Sequence, residues 1–201
     1  MLRESLQFLA DELNKYLVQK LGASQDDERV VLGNVAKAYD NAQPALGEIP
    51  IGNKAILSLI NIEEDKVAKQ QENFVRTDTN VRYKNPPVLL NVYILFSLNR
   101  NAYTDSLLWL SYIVQFFQHQ NIFTPLTHPT LNTRIKKLMV DLYSLNFEQV
   151  NHLWSTLGGK YLPSVMYKIR QLTIDEDLVI SEGSFIKEIV LEEKLKVPVT
   201  E

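Results

Sequence analysis

The sequence predicts an α/β or α+β single domain spanning residues 1–201, with a mostly antiparallel or mixed sheet and helices packed against it. Three observations lead there. The first segment carries leucines at helical spacing. The run Val88 to Leu98 is β-branched and aromatic and apolar on both faces, as a strand covered on two sides must be. Further helical and strand-like runs alternate after it, the pattern of layers built on a sheet. At 201 residues the chain can bury a sizeable core, and no shift in composition asks for a second domain.

Leu2, Leu6, Leu9, Leu13, Leu17 and Leu21 fall three or four residues apart, with Glu4, Asp11, Glu12, Lys15 and Lys20 off that stripe and Gly22 after it as a stop. An amphipathic helix follows from that spacing. Its leucine face packs either on the protein's own sheet or on a neighbouring subunit. Arg29 to Ala36, with Val30, Val31 and Val35, favours a strand, and Pro44, Gly47, Pro50 and Gly52 mark a connector. From Ala55 to Ile62 the chain alternates in part, Ile56, Ser58 and Ile60 against Leu57, Leu59 and Ile62, which suits a strand with both faces largely covered. Residues 63–87 then turn polar, with Val67, Phe74, Val75, Val81 and Tyr83 as the larger apolar anchors. So long a connection has a task, is mobile, or is an extended hairpin arm whose ends continue the flanking strands.

Pro86 and Pro87 open the strand Val88 to Leu98, which belongs in the centre of the sheet. Asp105 to His119 leaves few polar positions, so a helix buried on most sides, by sheet, by another helix or by a partner, is expected. Pro125 and Pro129 break the next loop, and Arg134 to Leu145 alternates weakly as a strand. Asn146 with Gln149 makes a capping box, Leu145 with Val150 a hydrophobic staple, and Gly158 with Gly159 a stop, which together delimit a further helix. Tyr161 to Ile174 is a long strand in which Leu172 and Ile174 are offset from Val165, Tyr167 and Ile169, the mark of a bend or bulge. The tail, residues 182–201, mixes Phe185, Ile186, Ile189, Val190 and Leu191 with charges and reads as an added arm, strand or helix.

With 21 basic and 24 acidic residues mixed along the chain, the formal charge of −3 offers no broad attraction to nucleic acid or to an anionic membrane. The longest apolar region, Leu107 to Phe117, is too short to span a bilayer, and Arg3 and Glu4 lead into a charged helix instead of a secretory signal. Assembly in the cytoplasm is expected. The absence of cysteine excludes disulfides and a cysteine nucleophile. His119, His128 and His152 lack the spacing of metal ligands, and Gly158-Gly159-Lys160 lacks the earlier glycine and the strand-to-helix order of a phosphate loop. Ser155 or Ser164 near His152 follows no triad motif; Glu63-Glu64 and Asp175-Glu176-Asp177 lie in polar turns; and Arg134, Lys136 and Lys137 lack interleaved aromatics. No catalytic, cofactor or metal role is assigned to any residue.

Three stretches carry a family resemblance. In Ile56 to Val67 a strand ends in Asn61 before the acidic Glu63-Glu64 turn. In Pro86 to Thr124 a Pro-Pro entry precedes a Leu-Asn-x-Tyr strand and an aromatic-rich helix. In Phe147 to Asp175, Leu153, Trp154, Gly158 and Gly159 precede Ser164, Tyr167 and the final strand. In these the chain resembles the tube-cap, or tail-terminator, proteins of phage-tail-like contractile injection systems of the antifeeding-prophage and Photorhabdus-virulence-cassette type. Residues 1–52 match by element order alone.

The resemblance implies a structural subunit in a homo-oligomeric ring, of six copies, seated on the last layer of the inner tube protein, with the sheath protein as a further partner, in a particle that is released or membrane-anchored. It implies no enzyme activity, no cofactor, no nucleic acid and no membrane insertion. The interface candidates lie in the two arms: Arg76, Arg82, Tyr83, Lys84 and Phe185. Two rival readings stand beside it, an adaptor or assembly-chaperone module of the same kind of particle, and an enzyme with an unrecognised site.

Overall fold

The computed structural model describes residues 1–22, 28–39, 50–66, 74–76, 80–83, 86–174 and 181–184. The chain falls into two compact units, Met1–Lys69 with Val88–Ile174, and Gln70–Pro87 with Asp175–Glu201.

The larger unit is a six-stranded sheet in the order β1-β2-β5-β8-β7-β6. Its strands are β1 (Val30–Leu32), β2 (Lys54–Glu64), β5 (Val88–Asn99), β6 (Ile122–Phe123), β7 (Leu138–Leu142) and β8 (Ser164–Ile174). β1 runs parallel to β2 and every other pair is antiparallel, so the sheet is mixed as expected. The apolar run from Val88 lies between β2 and β8 and is buried from Asn91 to Leu98.

Alternation along β5 builds two cores. Val92, Ile94, Phe96 and Leu98 face helices α1 (Leu2–Leu21) and α2 (Tyr103–His119), while Tyr93 and Leu95 face α3 (Phe147–Thr156). The sheet is therefore sandwiched between helical layers. On the first side Phe96 meets Tyr167 edge to face and Phe117 lies tilted against both, with Phe117 and Tyr167 centroids 4.6 Å apart, and the leucine face of α1 packs in the same core. Leu9, Leu13 and Leu17 are fully buried there, so that face is occupied by the protein's own core. Gly22 ends α1 at φ 64°, a left-handed conformation open to glycine at little cost, and its N–H donates to the Val18 carbonyl.

β1 is tied to α1 by one side chain. Asn14 Oδ1 accepts from the backbone N–H groups of Arg29 and Val30 at 2.9 and 2.8 Å, and Asn14 Nδ2 donates to the Val30 carbonyl at 2.9 Å. The carboxamide thus stands where the next strand of the ladder would be.

Several elements differ from expectation. The strand expected over 29–36 stops at Leu32, because the Gly33 carbonyl and the Val35 N–H both turn to the buried Ser58 hydroxyl and residues 35–39 become a 3-10 turn. β7 begins at Leu138 and not at Arg134, since the Asn132 carbonyl and side chain take the N–H groups of Ile135 and Arg134 in a turn. β2 is covered on both faces only from Ala55 to Ser58; Leu59 and Ile62 are exposed, beyond the length of β1. β8 opens at Ser164, after Pro163, and carries the expected bulge: Leu90 pairs with Leu172 but Val92 with Ile169, one extra residue that returns Leu172 to the side of Tyr167 and Ile169.

In the smaller unit, β3 (Phe74–Arg76), β4 (Asn80–Tyr83) and β9 (Ser181–Ser184) form an antiparallel sheet in the order β3-β4-β9. The polar stretch 63–87 accordingly contains a hairpin, and the flanking strands pair with each other up to Glu64 and Leu90.

Candidate interaction surfaces

Of the residues chosen from sequence as contacts, Arg82 and Tyr83 lie in β4, the middle strand of the small sheet, and Arg76 in β3. Position 82 is in register with Val75 and Glu182, position 83 with Phe74 and Ser181, and position 76 with Val81. The hairpin and the tail segment, far apart in sequence, are thereby brought into one sheet. Lys84 and Phe185, with the tail expected beyond Ser184, lie outside the described residues.

In the larger unit the residues weighed for chemistry are dispersed. His119 ends α2, His152 is exposed on α3, and His128 packs its ring against Phe8 and Phe123 while Nδ1 shares a hydrogen bond with Thr127 Oγ1. Among the described residues no group of His, Asp and Glu is placed to hold a metal ion, and no helix is long and apolar enough to cross a membrane. Gly158 and Gly159 adopt φ 106° and 76° and terminate α3, the Gly159 N–H donating to the Trp154 carbonyl. Glu63 accepts a 2.8 Å hydrogen bond from the Tyr93 hydroxyl, whose ring lies beneath the Lys168 ammonium and edge-on to Tyr143. Burial, and then the bond to Glu63, raise the Tyr93 pKa, keeping the phenol a neutral donor.

Two guanidinium groups lie over the Trp109 ring, Arg100 at 4.0 Å and Arg29 at 5.5 Å from its centroid. Arg100 also donates to the Asn53 carbonyl at 2.8 Å and to Asp105 at 3.4 Å. Trp109 itself belongs to the first core, so both cations are held against a buried ring.

The exposed apolar side chains were the less anticipated feature. α2, expected to be covered on most sides by sheet, by another helix or by a partner, buries Ser106, Trp109, Ile113, Phe116 and Phe117 within this chain, while Tyr103, Leu107, Leu108 and Val114 face solvent. On the other layer Phe147, the first residue of α3, is 96% exposed, and Tyr161 stands beside Trp154 with its ring largely in solvent. The signal available in sequence was the absence of charge along α2 after Asp105, which says that the helix is covered but not by what.

The Pvc16 N-terminal domain family matches residues 6–188. Among solved structures, a sheath/tube terminator of the extracellular contractile injection system PVC, in its extended state, is similar at TM-score 0.58 and 11% identity, over 94% of this chain and 64% of that one. The tube-terminating cap of the anti-feeding prophage is similar at TM-score 0.54 and 14% identity, over 79% of this chain and 57% of that one. The chain thus spans about three-fifths of the length of these structural relatives. No curated protein matches it by sequence.

Proposed function

Because the chain belongs to the Pvc16 N-terminal domain family, we propose that it is a structural subunit that caps and terminates the inner tube of a contractile injection system. It acts as a closed ring of six copies, binds the last layer of tube protein and joins the last ring of the sheath. It assembles in the cytoplasm as part of a phage-tail-like particle and performs no catalysis. What carries this reading is the agreement between a family match over residues 6–188 and a fold shared with a sheath/tube terminator and a tube-terminating cap.

The physical logic needs no chemistry. A tube grows because each ring offers a surface that the next ring copies, and a cap that binds this surface and presents a different one stops addition by geometry. We place the tube contacts on the smaller unit, at Arg76, Arg82, Tyr83, Lys84 and Phe185. The support is that the hairpin and β9, far apart in sequence, join in one sheet of their own, β3-β4-β9, in a separate compact unit.

Polymerising tube protein with and without the purified chain tests this, read by electron microscopy. Shorter tubes ending in a ring-shaped density at one end are expected. Tubes of unchanged length with no end density would exclude a cap, and density spread along the tube walls would point to an adaptor instead.

A further inference from the structure

We propose that copies of this chain join head to tail through two apolar surfaces on opposite layers of the larger unit, the outer face of α2 on one copy receiving Phe147 of the next. This rests on the ring reading above and names the contact that would build it.

The receiving face is unusual for a solvated helix. α2 carries no acidic or basic residue between Asp105 and His119, in a chain of which 22% is charged. Leu107, Leu108 and Val114 are exposed on it by 44, 45 and 38%, and its other exposed side chains over the same span are Ser111, Gln115 and Gln118. α1, a helix of the same layer, turns Arg3, Glu4, Asp11, Lys15 and Lys20 to solvent, so water on that side of the molecule does not account for an uncharged α2. Positions 107, 108, 114 and 115 are the i±3 and i±4 neighbours of Ser111. The smallest side chain on the face is therefore ringed by larger ones, the form of a hole that accepts a knob. The Ser111 hydroxyl is turned back onto the Leu107 carbonyl at 2.9 Å and asks nothing of a partner.

Phe147 is the matching knob. Its backbone is held rigid by the capping box, in which Asn146 Oδ1 accepts from the Gln149 N–H at 2.8 Å and the Asn146 N–H donates to Gln149 Oε1 at 3.0 Å. Leu145 and Val150, on either side, are anchored in the second core. An aromatic ring displayed on so fixed a support loses little freedom when it docks, which is the profile of an interface anchor.

A second copy is the occupant because one chain carries both halves. α2 packs on the core of one sheet face and α3 on the core of the other, so socket and knob point away from each other. Two different surfaces joined head to tail propagate from copy to copy and close into a ring when the rotation allows, whereas a single self-matching patch stops at a dimer.

The test uses Phe147→Asp and Val114→Asp, both exposed positions, with melting temperature as the control for folding and mass photometry as the readout. The wild type is expected to assemble, and each variant alone to remain a single copy with an unchanged melting temperature. An equimolar mixture should give dimers and nothing larger, since each such pair keeps one intact socket facing one intact knob. If Phe147→Asp assembles as the wild type does, or the mixture stays single, the contact is elsewhere and the cap reading is untouched. If the wild type neither assembles nor shortens tubes, both fall together.

Discussion

Asn14 is the residue on which the first helix and the first strand depend. Its side chain makes three hydrogen bonds to the Arg29 and Val30 backbone, and no apolar substitute can make any of them. Asn14→Ala leaves those groups facing a protein edge and is expected to cost about 2 kcal/mol, measured by urea denaturation. Sequence alone did not single it out, because an asparagine in mid-helix has the same spacing whether it faces water or a strand end. Tyr167 gives a second test. Burial holds its hydroxyl well above the ordinary value of 10.0, so the folded state keeps the neutral form while the unfolded chain ionises at the ordinary value. The associated stability is complete below pH 10 and is lost as pH climbs above it. Between pH about 9 and about 11, Tyr167→Phe should lose less stability than the wild type; Tyr93, raised by burial and by Glu63, leaves a residual slope in both.

Among the elements, those declared by a local rule were readable. The leucine period gave α1, Asn146 with Gln149 gave the start of α3, and the phase change between Ile169 and Leu172 gave the bulge in β8. Elements bounded by tertiary contacts were not: β1 ends where Ser58 of another strand captures the turn, and β7 begins only after the Asn132 turn. The same limit hid the exposed side of α2, since apolar periodicity reports that a face is to be covered and is silent on whether by the same molecule. α3 is attached to the sheet mainly through Trp154, its one buried residue, which packs in a cluster with Val35, Ile56, Tyr93, Leu95, Leu162 and Met166. Trp154→Ala is therefore expected to cost about 3 to 5 kcal/mol in thermal or urea denaturation, with no compensating gain elsewhere.

At the scale of the molecule, the two units make separable demands. β2 and β5 pair directly as far as Glu64 and Leu90, and the Asp65 N–H donates to the Leu89 carbonyl at 2.7 Å. Replacing residues 67–85 by a short turn should leave an ordinary hairpin and a folded larger unit, with helical circular dichroism and melting temperature close to wild type. On the proposed function such a variant loses tube termination, and tubes of normal capped length made with it would remove the smaller unit from that role. The setting of the candidate contacts was legible only in part: a hairpin arm was readable from the polar stretch 63–87, but nothing in the local sequence announced that β9 would supply the third strand beside position 82.

That third strand also sets a schedule. Asn80 pairs with Ser184, while the last strand of the larger unit, β8, is complete at Ile174. During synthesis β3 and β4 emerge well before β9 and must wait for residues 181–184 before their sheet can close, by which point every strand of the larger sheet is already available. A surface made this way comes into being after the larger sheet, so a chain that has not reached β9 has no finished small sheet with which to engage a growing partner.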